Sequence, residues 1–503
     1  MIRLLYKVHR WAGVALALFM TIWILSGLVI VYASGTLPSR AQKLVHAETL
    51  SPQAGWLSLG EAWQRSGGQA TIVDARLLRI AGEPHWLVED DRGHRVAVSA
   101  IDGHVQTFSG EQAQRIAQQW LSAESAASLP AVTYLDTIDA TSSLRNYTDL
   151  KPFLRVAVDD GAGTELLISA TSGEVLQAVS RVDRGLYLVG NWIHFFRPLD
   201  AIGAGDYRRD VLIWAVAIAA ITSVTGMVIG WLRWKPGYFA KPTYPQGRTQ
   251  PYRTFWLRWH FWTGLIGGSL AVLWTVSGYM VNNPWQWFSA ATATRQELVR
   301  YQGADLPDVV KSWQPAALAS ATDAVELGWR RLGDKAVLLA YTRDGGRMPQ
   351  AVDGAVTTFD EATLLAAAQR LGGKATISLL TLQRDYDNYY YPTHRQDSVD
   401  KPLPVLRVEL SDAGHTHLYL DPQDGRLLLK QDASRRAYRW LFSALHNWDI
   451  GWLYTRPLWD AWMVTWIGFS LVLSVSSVVL GWRRLRRTFA LRKAEEEAKP
   501  VTA

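Results

Sequence analysis

The sequence predicts an integral membrane α-helical protein with four transmembrane helices and two α+β ectodomains, arranged as an internal duplication. Three observations carry this reading. Four uncharged apolar stretches, Trp11 to about Ala33, Val211–Leu232, Phe261 to about Val281 and Ala461–Trp482, are long enough to cross a ~30 Å hydrocarbon core. The text Tyr6-Lys7-Val8-His9-Arg10-Trp11-Ala12-Gly13, followed by an apolar run to Ser26-Gly27, returns as Leu257-Arg258-Trp259-His260-Phe261-Trp262-Thr263-Gly264, with an apolar run to Ser277-Gly278. The polar segments between the paired spans also correspond. Asp353-Gly354 answers Asp102-Gly103, Phe359 answers Phe108, Leu406-Arg407-Val408-Glu409 answers Leu154-Arg155-Val156-Ala157 and Gly425 answers Gly173, all at an offset of 251 or 252 residues.

Taken in order, residues 1–34 hold an N-terminus and the first span. Arg3, Lys7 and Arg10 before an apolar run resemble a signal peptide, but the run is longer than a usual signal core and its counterpart at 257–281 is internal, so a retained anchor is expected. Residues 35–185 form the first ectodomain: a loop with a short helix around Leu57–Trp63, strand-like text from Thr71, a hairpin turning at Arg92-Gly93, and a helix from Glu111 to Leu121 whose apolar face is Ala113, Ile116, Ala117, Trp120 and Leu121. Three short strands follow between Phe153 and Leu176, giving a helix-plus-three-strand module. Residues 186–235 contain a surface helix, Tyr187 to His194, and the second span; 236–255 are a basic connector; 256–284 carry the third span. Residues 285–433 repeat the ectodomain. Residues 434–487 contain a second surface helix, Tyr438 to His446, one residue longer than its counterpart, and the fourth span; 488–503 are a tail expected to be disordered beyond Arg492.

Short basic segments set the orientation. Residues 1–10 contain three Lys or Arg, Arg233 to Arg258 contain six and no acid, and Arg483, Arg484, Arg486 and Arg487 follow the last span. These segments are expected to be cytoplasmic and the ectodomains to lie across the membrane, which in a bacterial inner membrane is the periplasm. The net charge of +7 is largely accounted for by these flanks, so nucleic acid is not an expected partner. Many of the 25 tryptophans lie near span ends, as in interfacial aromatic belts. Cysteine is absent, which excludes disulfides, thiolate-ligated iron–sulfur clusters, Cys-attached haem and Cys-ligated zinc.

The duplication sorts the 11 histidines. Only two pairs recur: His9 with His260, near the cytoplasmic ends of the opening spans, and His194 with His446, before the closing spans. In each opening span the histidine lies four residues before one glycine (Gly13, Gly264) and eighteen before another (Gly27, Gly278), so a helix puts all three on one face over ~27 Å. Such a face offers a ligand and gaps for a flat, His-ligated cofactor. The plain alternative is interfacial histidines, with glycines that let helices pack. If the halves pack about a pseudo-twofold axis, each pair could clamp one iron from both sides, and two bis-His haems would favour electron transfer over oxygen chemistry. A haem held by one of these histidines with a Met or water is the other possibility.

Elsewhere, His415-x-His417 reads as a solvated hairpin tip, and His46, His85, His94, His104 and His394 have no visible partners. The stretch Asp385-Tyr386-Asp387-Asn388-Tyr389-Tyr390-Tyr391 offers Asp385, Tyr389 and Tyr390 as ligand-binding candidates, or packs its loop. No phosphate-binding glycine motif, serine-nucleophile elbow or HExxH occurs.

His9-Arg10-Trp11-Ala12-Gly13, His260-Phe261-Trp262-Thr263-Gly264, the strand-turn-strand Ile168-Ser169-Ala170-Thr171-Ser172-Gly173-Glu174-Val175 and the pre-span histidines together resemble the PepSY-associated transmembrane family over nearly the whole chain. The resemblance implies PepSY-like ectodomains on a bacterial inner-membrane protein. It further implies iron–siderophore uptake, with two haems b ligated by His9, His260, His194 and His446 and a reductase acting on a ferric siderophore. The electron donor, a quinol or a cytoplasmic reductant, is left open. Two other functions remain: a non-enzymatic module binding a periplasmic peptide or protease, and a haem conduit to a partner reductase.

Overall fold

A computed structural model describes residues 2–33, 36–123, 129–237, 244–318, 323–393, 399–453 and 455–497; His394 lies outside them. The chain forms two compact units. One is helical and gathers residues 1–33, 185–288 and 437–503; the other carries the sheets and gathers residues 34–184 and 289–436.

Among the described residues the helical unit contains four helices long and apolar enough to cross a membrane: α1 (Ile2–Tyr32), α2 (Arg208–Arg233), α3 (Phe255–Val281) and α4 (Leu458–Glu497). Apolar surroundings force each backbone to satisfy its own hydrogen bonds, and the helix does this within one segment. Each helix packs on two neighbours, α1 on α2 and α4, α3 on α2 and α4, so that α1 and α3 lie diagonally in a ring of four. Small residues bring the helices together. A Cβ on Gly13 would meet Thr222 Cγ2 at 3.9 Å, one on Gly264 would meet Leu473 Cδ1 at 3.4 Å, and one on Gly267 would meet Phe469 Cβ at 3.2 Å.

The helices outrun the apolar text. α1 starts at Ile2, because Arg3-Leu4-Leu5-Tyr6-Lys7 has helical propensity as well as charge. α4 continues to Glu497, through the stretch beyond Arg492 expected to be disordered; Lys493, Ala494 and Glu495–Glu497 are all strong helix formers. α3 stops at Asn282, after which Asn283 turns left-handed (φ +45°) before Pro284 and exchanges two hydrogen bonds of 2.8 Å with the Phe288 backbone.

In the sheet unit the strands are β1 (Ile72–Ile80), β2 (Glu83–Asp90), β3 (Arg95–Ser99), β4 (Val105–Gln106), β5 (Val132–Ile138), β6 (Phe153–Val158), β7 (Glu165–Ser169), β8 (Val175–Val179), β9 (Ala324–Leu332), β10 (Lys335–Thr342), β11 (Arg347–Gln350), β12 (Ile377–Gln383), β13 (Val405–Leu410), β14 (His417–Leu420) and β15 (Leu427–Gln431). The hairpin expected at Arg92-Gly93 is β2–β3, and the helix Gly110–Ser122 buries Ala113, Ile116, Ala117 and Trp120. Its counterpart is the helix Glu361–Gly372, which buries Leu364, Ala367 and Ala368.

Two features correct the sequence reading. Among the described residues each module carries four strands rather than three, in the orders β5-β6-β7-β8 and β12-β13-β14-β15. The extra strands, β5 and β12, are edges whose residues are mostly exposed or half-buried, so they lack the apolar alternation that announces a strand. Moreover, the two expected ectodomains make one body, because β1 pairs with β9, from Ala75↔Trp329 to Leu78↔Glu326, in a single sheet of order β11-β10-β9-β1-β2-β3-β4. That pairing closes the open edge each part would otherwise present.

Matched positions in the two modules share local geometry. Gly173 and Gly425 have φ of +67° and +68°, and a Cβ on either would approach Phe108 Cε2 or Phe359 Cδ2 at 2.8 Å, so only glycine fits these turns. The charges beside them differ. Glu174 lies among Arg95 (3.0 Å), Lys43 (3.4 Å) and Arg76 (3.5 Å), whereas the second turn offers Asp424, fully buried, to Arg426 (2.7 Å) and Arg347 (2.8 Å).

Candidate functional site

Helix α1 brings His9, and its diagonal partner α3 brings His260, to the two sides of one cavity of about 640 Å³ in the helical unit. The imidazole centroids are 6.3 Å apart with the ring planes at 46°. A metal at ~2.05 Å from each ring nitrogen, with each centroid ~1.15 Å behind its nitrogen, would set them ~6.4 Å apart. Among the described residues no cluster of three or more His, Asp or Glu could hold a bare ion, so a metal between these rings would need its remaining donors from a ligand filling the cavity.

The hydrogen bonds decide which nitrogen each ring presents. His9 Nδ1 lies 3.0 Å from the Thr222 carbonyl oxygen, which only accepts, so Nδ1 carries the proton and Nε2 the free electron pair. His260 Nδ1 lies 3.2 Å from Ser476 Oγ and 3.3 Å from Ser477 Oγ, and both hydroxyls donate to the Leu473 carbonyl, at 2.7 and 2.8 Å. Their protons being committed, His260 must donate, which again frees Nε2.

The second pair is built the same way. His194 Nδ1 lies 3.1 Å from Ser26 Oγ, which donates to the Trp23 carbonyl at 2.9 Å; His446 Nδ1 lies 3.0 Å from Ser277 Oγ, which donates to the Leu273 carbonyl at 2.7 Å. The indoles of Trp23 and Trp274 each donate to the backbone carbonyl of the histidine concerned, both at 3.1 Å. Burial lowers the pKa of both imidazoles, to about 3 at His194, where the nearby His446 adds to the effect, and to about 4 at His446. Both imidazoles are therefore neutral at physiological pH. The segments that carry them are not simple surface helices. A π-helical turn of five residues, Leu188–Trp192, precedes His194, and one of six, Arg439–Ala444, precedes His446. The longer turn absorbs the extra residue of the second segment, and two residues past each histidine the chain is left-handed, at Phe196 (φ +56°) and Trp448 (φ +52°).

A family model for the PepSY-associated TM region matches residues 6–382. The chain belongs to the PepSY-associated transmembrane family. The family match includes His9, His194 and His260 and ends before His446, whose place therefore rests on the structural correspondence with His194. No curated protein matches the chain at a significant level.

The four glycines of this family member divide into two kinds. Gly13 and Gly264 line the cavity. Gly27 and Gly278 instead face imidazoles: a Cβ on them would sit 3.4 Å from His194 Cε1 and 3.7 Å from His446 Cε1, so the gaps read as space for a cofactor make room for the histidine rings. Sequence reading missed the groups that orient the rings, namely Thr222, Ser476, Ser477, Ser26, Ser277, Trp23 and Trp274. The repeated Trp-x-x-Ser-Gly at 23–27 and 274–278 was the available signal.

The remaining candidates separate from this site. Tyr390 is fully buried, stacked on Tyr419 at 5.2 Å with its hydroxyl on the Pro402 carbonyl at 2.8 Å, and so is core rather than a ligand contact. Asp387 organises the loop by accepting from the Tyr389 and Tyr390 amides (2.7 and 2.6 Å) and the Tyr419 hydroxyl (2.9 Å); of the three candidates, Tyr389 is half-buried beside His417 and Asp385 is exposed. His415 is left-handed (φ +44°) at the turn, while His417 lies in β14, 3.8 Å from Glu409. His46 stacks on Trp120, His85 bonds the Glu83 carbonyl, and His94 and His104 bond Asp90 and Asp102.

Proposed function

We propose that this chain is a dihaem b reductase of the bacterial inner membrane, an internal duplication with a PepSY-like periplasmic region, that passes electrons across the membrane to a periplasmic ferric siderophore. The observation that carries the reading is the 6.3 Å separation of the His9 and His260 rings across a cavity, with each Nδ1 engaged so that both Nε2 electron pairs are free. Held there by His9 and His260, a haem would supply a one-electron iron couple. His194 and His446, neutral and held by Ser26 and Ser277, are the equivalent ligand set for a second haem.

The chain's own work is positional. Thr222, Ser476 and Ser477 fix the tautomers of one pair, and Trp23 and Trp274 pin the backbone of the other. No acid–base residue is required. The basic flanks of the helices support an orientation with those ends in the cytoplasm, where a quinol or a soluble reductant would donate electrons. Iron would leave the reduced chelate because hard oxygen donors hold iron(II) less well than iron(III).

The test is a pyridine-haem difference spectrum of the purified protein, quantified per chain, for the parent, His9→Ala and His446→Ala. About two haems in the parent and about one in each variant are expected from the two pairs of ligands. A folded, iron-replete parent without haem would end the reading.

A further inference from the structure

The cavity between His9 and His260 is chemically two-ended. Its deep end is lined by Met20, Ile24 and Ala271, and its other end by Arg10, Arg483, Arg484 and Arg487, with no Asp or Glu along its walls. Among the described residues none of these four guanidiniums has a carboxylate or a hydrogen-bonding side-chain partner. On α4 the cationic positions continue the cavity stripe itself: Leu473, Ser477, Leu480, Arg484 and Arg487 recur at helical spacing, and Ser477 is the residue beside His260 Nδ1.

Topology alone does not account for this placement. The inside rule counts basic residues near span ends and is indifferent to helix face. Arg3, Lys7, Arg258 and Arg486 satisfy it at the same end without lining the cavity. An apolar slot ending in guanidiniums that no described carboxylate engages is shaped for a rigid apolar body with carboxylates along one edge, the group that arginine binds best through its planar fork.

Resting on the haem reading above, we propose that Arg10, Arg483, Arg484 and Arg487 bind the two propionate carboxylates of the haem held by His9 and His260. The macrocycle is thereby oriented with its propionate edge at the basic end and its apolar edge toward Met20 and Ala271. The arginines then act as binding residues that select an anionic porphyrin and set which way it enters.

The test uses the full chain in detergent, freed of haem and carrying His446→Ala so that only the cavity site reports. It is titrated with haemin and with haemin dimethyl ester while the Soret band is followed. Haemin should give a bis-imidazole spectrum, and the ester should bind about tenfold or more weakly, as loss of charge-assisted hydrogen bonds implies. Adding Arg10→Gln and Arg484→Gln together should weaken haemin by a similar factor and leave the ester unchanged. Arg3→Gln with Arg258→Gln, which removes the same charge away from the cavity, should change neither. The proposal is overturned if the ester binds as well as the acid, which would leave these arginines to lipid phosphates. It is equally overturned if the cavity variant weakens acid and ester alike, or if the control pair matches the cavity pair. A parent that binds neither porphyrin would instead sink the haem reading, and this inference with it.

Discussion

Each imidazole of the two pairs is held at Nδ1 by a group that cannot return a proton, and the holders differ. His9 meets a backbone carbonyl, whereas His260 meets two hydroxyls. Such partners fix ring orientation and ligand basicity, and losing one typically costs ~10–100-fold in metal affinity. In the proposed dihaem form, Ser277→Ala should therefore weaken the haem assigned to His194 and His446 by about that factor while sparing the other, read as haem retained per chain on dilution. Gly226→Ala tests the opposite end. Its added Cβ would lie 2.7 Å from His9 Cε1, so the ring must move, and the expected product is a folded chain that keeps about one haem. The histidines themselves were legible because they recur at an offset of 251 or 252 residues, as the rest of the duplicated text does. Gly226 was not, since Ser477 stands at the corresponding place and nothing in either stretch marks a neighbour of an imidazole two hundred residues away.

At the level of elements, the sheet unit is pinned by buried charge at its turns. Arg347 at the start of β11 serves Asp421 and Asp424, whose side chains are 2% and 0% exposed. Removing one partner of such a group leaves uncompensated buried carboxylates, and Arg347→Ala should cost about 3 kcal/mol or more, measured by chemical denaturation of the full chain in detergent. Acid acts on the same network. Burial opposes ionisation of Asp74, but the guanidiniums of Arg330 and Arg76 outweigh it and hold the carboxyl down to about 2, and Glu174 is likewise depressed because Lys43, Arg95 and Arg76 overcome its burial. Their stabilisation is present above the unfolded pKa values of ~3.9 and ~4.3 and is lost as pH falls toward the folded ones. Asp421, raised by burial and by Asp424, works in the opposite sense. The helices and hairpins of this unit were readable from periodicity and turn residues. β5 and β12 were not, being edges, and the β1–β9 pairing was not, because joining strands some 250 residues apart leaves no mark on the local pattern of either.

For the whole molecule, the consequence is that neither half of the chain is complete. Residues 1–237 supply His9, His194 and β1; residues 238–503 supply His260, His446 and β9. Co-expressed as two fragments, the halves should co-purify with about two haems, whereas either fragment alone should hold neither haem nor a closed sheet edge, checked by spectrum and by size-exclusion chromatography.

The widened turns before His194 and His446 explain how two dissimilar stretches reach one geometry. A regular helix advances ~100° per residue, so one extra residue would swing the imidazole a quarter turn or more away from its serine. Here the surplus is taken up inside the wide turn, which lengthens from five residues to six while the ring stays where it was. These segments thus behave as slip joints, in which a single-residue difference in length upstream leaves the direction of the imidazole unchanged.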